Sequence, residues 1–193
     1  MRIILASASP QRRKLLRDAG VRFEVKASHY REDLTLKMAP KKLAMLLARG
    51  KARAVAKRYP AALIIGADTV AVCAGKVIGK PKSKKDAARI LRLLSNKRHT
   101  IITAVALLAR GAEVVFADAA DVTFKKLSSS DIEEYVATGE PMGAAGAYRI
   151  QKGGKRFVRT IKGRRDTIVG LPVALVKKKL NMIERIATAK GKR

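Results

Sequence analysis

The chain begins with an apolar run that ends abruptly on a helix-start signal, and this boundary limits the folds available to it. Ile3-Ile4-Leu5-Ala6 leads into Ser7-Ala8-Ser9-Pro10 and then Gln11-Arg12-Arg13. A buried strand that feeds directly into a helix belongs to a layered α/β architecture. Ser9 is a good N-cap, because its hydroxyl can accept from an orphan amide, and Pro10 occupies the first helical position, where its missing N–H costs nothing. Arg12 and Arg13 then add positive charge to the end of the helix that already carries the positive pole of its dipole. That is locally unfavourable unless an anion arrives, and phosphate is the natural one. The plainer alternative is that both arginines splay into water on an exposed turn.

Further along, helical and strand-like patterns alternate. Helices are expected near Pro10–Ala19, Pro40–Tyr59, Lys84–Leu94, Ser130–Ala137 and Pro172–Ile186. Ser83 with Asp86 reads as a cap, Ser130 with Glu133 matches a capping box, and Gly139 supplies a stop. Strands are expected at Ala62–Cys73, His99–Leu108, Val114–Phe124, Tyr148–Gln151 and Phe157–Ile161. The expected fold is α/β, a mixed twisted sheet with flanking helices. It is read as one domain over residues 1–193, with a basic tail from about residue 188 in which Lys190, Lys192 and Arg193 fray into solvent.

With 48% hydrophobic residues, 193 positions can bury a proper core, so a disordered chain is excluded. The 43 Lys and Arg against 15 Asp and Glu leave a net charge of +28, which attracts polyanions at long range. The single cysteine, Cys73, lies in an apolar run and reads as a buried thiol; with no intrachain disulfide possible, a cytoplasmic protein is expected. The opening apolar run is too short for a secretion signal, and no later run reaches membrane-spanning length, so no membrane association is expected.

The segment from Ile64 to Pro81, IIGADTVAVCAGKVIGKP, places Asp68 inside a strongly apolar strand that folds back at Ala74-Gly75 toward Lys80. A carboxylate there is costly without a cation, a metal or a hydrogen-bond shell. Lys80 is one candidate partner, and an ordinary Asp–Lys pair steadying a hairpin is the bland alternative to catalysis. Glu32, in HYREDL, and Lys51, among Arg49, Arg53, Lys57 and Arg58, are most simply a loop acid relieving Arg31 and a solvated helix residue. A basic site for metal-bound phosphate nevertheless needs carboxylate ligands, and Glu32 and Asp68 are candidates in a chain short of acids.

These segments together resemble the Maf family of nucleoside triphosphate pyrophosphatases from about Ile3 to Leu180. LASASPQRR is similar to the family's Leu-Ala-Ser-x-Ser-Pro-Arg-Arg, ARGKARAVA to its Lys-Ala helix, and GADTVAVCAGKVIGKP to its strand and hairpin. EEYVATGEPMGAAGAYRIQ and IVGLP follow in register. The resemblance implies an elongated, two-lobed Maf/ITPase-like architecture with the nucleotide in a central cleft, a homodimer, and cleavage between the α and β phosphates to a nucleoside monophosphate and pyrophosphate. It also implies a divalent metal, Mg2+ or Mn2+ with Co2+ as a third candidate. Asp68 falls on the catalytic acid, Arg12, Lys51 and Lys80 on phosphate-contacting positions, and Ser7, Ser9 and Arg13 on the substrate-binding opening. Glu32 with Asp68 falls on the metal-holding carboxylates.

Within the family, Thr69 and Gln151 resemble the dTTP/UTP branch, and the amide of Gln151 suits a pyrimidine edge. Gln11 stands where that branch has the first arginine of its pair, Gly143-Ala144-Ala145-Gly146 lacks its Asp-Lys, and Lys152 replaces a usual glycine. dTTP, UTP and modified pyrimidine nucleotides are the expected substrates. The rival reading is a basic nucleic-acid-binding protein on a catalytically idle scaffold; it is not favoured, because 4% aromatic residues and no Trp offer few stacking platforms, although duplex binding by shape survives that objection.

Overall fold

The computed structural model describes residues 1–33 and 36–190, without the side chains of 188–190. Among the described residues there are seven strands and six helices. In chain order these are β1 (Ile3–Leu5), α1 (Pro10–Asp18), β2 (Glu24–Val25), α2 (Pro40–Ala56), β3 (Leu63–Cys73), β4 (Lys76–Ile78) and α3 (Lys84–Leu94). They are followed by β5 (Arg98–Ala109), β6 (Ala112–Phe124), α4 (Ser129–Ala137), β7 (Val158–Lys162), α5 (Arg165–Val169) and α6 (Val173–Lys190). The strands form one mixed sheet in the order β2-β1-β3-β5-β6-β7, with β4 paired to β3. β1 is parallel to β2 and β3, whereas β4 and β7 are antiparallel to β3 and β6. No described helix is long and apolar enough to cross a membrane.

The chain divides into two compact units. The first contains residues 1–68, 103–118 and 170–193, and the second residues 69–102 and 119–169. β3 leaves the first unit between Asp68 and Thr69.

In the first unit the period-2 alternation of β3 sorts its side chains onto two faces. Leu63, Ile65 and Ala67 join Val105, Leu107, Leu16 and the buried residues of α6, Val176, Leu180 and Ile183. The other face, Ile64, Gly66 and Asp68, meets α2. A Cβ on Gly66 would lie 2.4 Å from the carbonyl oxygen of Ala48 and 2.7 Å from the amide nitrogen of Ala52, so the two backbones approach as closely as only glycine allows. α2 supplies Ala44, Leu47, Ala48, Ala52 and Val55 as a buried stripe at helical spacing.

The second unit is built around edge-on aromatic packing. Phe124 lies 4.8 Å from Tyr148 and 5.9 Å from Phe157, and Tyr135 lies 5.0 Å from Phe157, centroid to centroid. His99 is enclosed here, 2% exposed, with Nε2 2.9 Å from the Tyr148 hydroxyl; burial pushes its pKa down to about 4. It is the structural hydrogen-bonder that a lone histidine usually is. Cys73 is buried, as expected.

Several sequence expectations are corrected. Tyr148–Gln151 is not a strand: the Arg149 amide donates to the Tyr135 hydroxyl, and the Arg149 side chain donates to the carbonyls of Glu140 and Met142. Those loop partners replace a ladder. The capping box of α4 is Ser128 with Asp131, two residues before the expected one; Ser130 instead donates to Glu134. The Ser83 cap with Asp86 and the bounds of α3 are as read. β2 and α5, at two and five residues, are too short for a periodic signal. α6 continues to Lys190, and Lys192 and Arg193 of the expected tail lie outside the described residues.

Candidate active site

The β1–α1 junction is tied together by two serine hydroxyls. Ser7, 7% exposed, accepts from the Ser9 amide at 3.2 Å and from Nη1 of Arg12 at 3.3 Å. Ser9 caps α1 by accepting from the Arg12 amide at 3.4 Å and donates to Oε1 of Gln11 at 3.2 Å. The two arginines have different environments. Arg12 donates from Nε to the Gly170 carbonyl and from Nη1 to the Ala67 carbonyl, both at 2.9 Å, which locks its guanidinium beside the backbone that carries Asp68. Burial pulls the Arg12 pKa below its ordinary value, and the charges of Asp68 and Glu32 oppose that pull. Arg13 is half-buried and forms no ion pair among the described residues. Splaying into water therefore describes neither Arg12 nor its role in the junction.

Asp68 is 6% exposed at the end of the β3 face that meets α2. Its partner is Lys51, whose Nζ lies 2.5 Å from Oδ1, so the Lys80 pairing considered from the sequence is corrected. Lys51 stands four residues after Leu47 and four before Val55, inside the apolar stripe, and its side chain is only 12% exposed. The solvated-helix reading of Lys51 fails for that reason, whereas Arg49 and Arg53 do turn outward and share Glu113. Nζ of Lys51 also lies 2.8 Å from Oε1 of Glu32, so one ammonium joins two carboxylates from separate segments. Glu32 thus answers Lys51, not Arg31.

An aromatic contact two residues before Glu32, not expected from the sequence, anchors this segment on α2. The Tyr30 ring lies on Gly50: a Cβ at that position would sit 2.3 Å from ring carbon Cζ. A glycine inside the amphipathic pattern ARGKAR was the available signal, since mid-helix glycine weakens a helix unless something needs the room.

Thr69, Lys80 and Gln151 belong to the second unit. Thr69 is half-buried, Lys80 is exposed just after β4, and Gln151 is exposed in a turn. Gly146, at φ 73°, would bring a Cβ to 3.2 Å from that of Ala71, consistent with packing.

No group of three or more His, Cys, Asp and Glu side chains gathers around one point among the described residues. The donor set that converges is the pair Glu32 and Asp68. Two carboxylates suit a hard divalent ion that completes its shell with water and substrate phosphate.

Residues 2–183 match the family described as Maf-like protein. The chain belongs to the Maf family. It is 44% identical over 172 residues to the dTTP/UTP pyrophosphatase of Geobacillus sp. (strain WCH70), covering 89% of this chain and 92% of that one. It is 46% identical over 176 residues to the protein of that name from Koribacter versatilis (strain Ellin345), covering 91% of each. The solved structure of the Staphylococcus aureus Ham1 protein overlays 93% of this Maf chain and 100% of its own at TM-score 0.52 and 13% identity, a likeness of fold alone.

Proposed function

We propose that this Maf protein hydrolyses nucleoside triphosphates, dTTP, UTP and modified pyrimidine nucleotides above all, to a nucleoside monophosphate and pyrophosphate. The observation that carries the reading is the single buried ammonium of Lys51 joining Asp68 and Glu32. The name shared by the relatives supports the substrate class.

The Asp68 carboxylate accepts a proton from the attacking water as its oxygen bonds to the α-phosphorus, and the bond from that phosphorus to the bridging oxygen breaks to release pyrophosphate. The Lys51 ammonium pairs with the Asp68 carboxylate in a buried setting. An ammonium has three donors, and with two on carboxylates the third is available to a phosphate oxygen. Glu32 and Asp68 would hold the divalent ion, Mg2+ or Mn2+ in preference to Co2+, which when bound neutralises charge on the phosphates. Arg12, fixed by two carbonyls, adds a rigid positive field beside Asp68, and Arg13 and Lys80 meet the phosphate tail. Ser7 and Ser9 shape the α1 entrance. Gln151 and Thr69 select the base, and Gln11, where relatives of this branch have a charge, tunes that selection.

The test is a panel of ordinary and modified nucleoside triphosphates with each of the three metals, scored for pyrophosphate against single phosphate. Metal-dependent pyrophosphate release, fastest with dTTP or UTP, is expected. Single-phosphate release, or no turnover with any metal, overturns the reading. Light scattering of the purified chain checks the homodimer.

A further inference from the structure

The site described above needs only a handful of cations, yet the chain carries 43. In the second unit, three segments far apart in sequence are stitched together by backbone bonds. The Asn96 amide donates to the Lys125 carbonyl at 2.9 Å, the Phe124 amide to the Lys97 carbonyl at 3.0 Å, and the Lys125 amide to the Phe157 carbonyl at 2.8 Å. The weave sets the backbones of Lys97, Lys125 and Phe157 side by side, and Lys97, Lys125, Lys126 and the residues two positions either side of Phe157, Lys155 and Arg159, are all exposed on these joined segments. None of the five has an acidic partner among the described residues.

The acids that reach these segments are already engaged. Glu134 pairs with Arg156, Asp121 accepts from Thr100 and faces Arg98, and Asp131 closes the cap of α4. Five unanswered charges held by one backbone framework repel one another, so a ligand with regularly spaced negative charge relieves them. The four aromatic rings of this unit, Phe124, Tyr135, Tyr148 and Phe157, are all buried in its core. Exposed rings for stacking unpaired bases are therefore lacking among its described residues, which favours a paired backbone over a single strand.

We propose that the cluster of Lys97, Lys125, Lys126, Lys155 and Arg159 binds the phosphate backbone of double-stranded nucleic acid without reading its sequence. This role is additional to nucleotide hydrolysis and does not depend on it.

The experiment titrates the full chain against 20-base-pair RNA and DNA duplexes of unrelated sequence across a salt series. Parallel titrations use vesicles of phosphatidylcholine with phosphatidylserine. The triple variant Lys125→Gln, Lys126→Gln, Arg159→Gln is compared with a control of equal charge, Lys41→Gln, Lys42→Gln, Lys178→Gln, and thermal unfolding verifies that both fold. Binding of either duplex should weaken steeply with salt, and the RNA and DNA arms show which duplex is preferred. The cluster variant should bind at least about tenfold more weakly, with the slope of log affinity against log salt reduced by about three, while the control changes little. Equal losses in both variants would assign the binding to overall charge and overturn the proposal. So would absence of duplex binding, or vesicle binding that survives salt levels at which duplex binding is lost.

Discussion

Lys51 contacts Asp68 across the gap between α2 and β3, 2.5 Å from nitrogen to oxygen, because Gly66 lets the two backbones close on each other. Removing the ammonium alone leaves a buried carboxylate without its ion-pair partner. Lys51→Met should therefore destabilise the fold by about 3 kcal/mol, while adding Asp68→Asn to it should recover part of that loss. Urea unfolding of the two singles and the double decides it; strictly additive losses would mean that the pair does not interact.

Asp68→Asn by itself should lower pyrophosphate release by about a hundredfold or more, with nucleotide affinity measured without metal nearly unchanged, since the amide keeps the shape and loses the base. Steady-state turnover alongside equilibrium binding of a non-hydrolysable triphosphate separates the two effects. Near-normal turnover would remove Asp68 from the chemistry.

Gly66→Ala places its methyl group against backbone atoms that cannot yield, 2.4 Å from the Ala48 oxygen. A loss of about 3 kcal/mol or a failure to fold is expected, despite the better intrinsic propensity of alanine. Thermal unfolding measures it, and a stability within about 0.5 kcal/mol of the parent would contradict the close approach.

Gly50→Ala should give a different outcome. Its methyl meets the movable Tyr30 ring, so helix α2 gains up to about 1 kcal/mol in propensity while the segment carrying Glu32 is displaced. The expected signature is a fold close to wild type in stability with a several-fold higher metal concentration needed for half-maximal activity. Metal titrations of Gly50→Ala, Tyr30→Ala and the double variant test whether ring and glycine act as one device; independent effects would argue against it.

His99 makes stability pH-dependent. Its folded pKa of about 4 lies below the ordinary 6.5, so in that interval the unfolded chain binds a proton that the folded chain refuses. Stability should be full above pH 6.5 and decline as pH falls toward 4, by on the order of 3 kcal/mol in total. In His99→Gln this slope should flatten by about one proton when urea unfolding is repeated between pH 7 and 4.5. An unchanged slope would place the titration elsewhere.

Local chemistry was legible wherever neighbouring residues decide the outcome. Ser9-Pro10 started α1, Ser83 with Asp86 started α3, and alternation along β3 put Asp68 in an apolar strand. Where several residues could serve, the local signal was ambiguous. Three consecutive serines could each cap α4, and Ser128 took the role with Asp131 while Ser130 turned to Glu134. Strand propensity at Tyr148–Gln151 was overridden by hydrogen bonds to Tyr135, Glu140 and Met142.

By itself the order of residues determined the α/β class, the element boundaries with strong caps, the charge, and the membership that five motifs in register announce. Only the tertiary structure decided that Lys51 and not Lys80 answers Asp68, that Arg12 is held by the carbonyls of Ala67 and Gly170, and that Tyr30 rests on Gly50. Caps and periodicity act over a few residues, so they can be read along the chain. Ion pairs between segments depend on how closely two backbones approach, and that distance is set by packing across the fold.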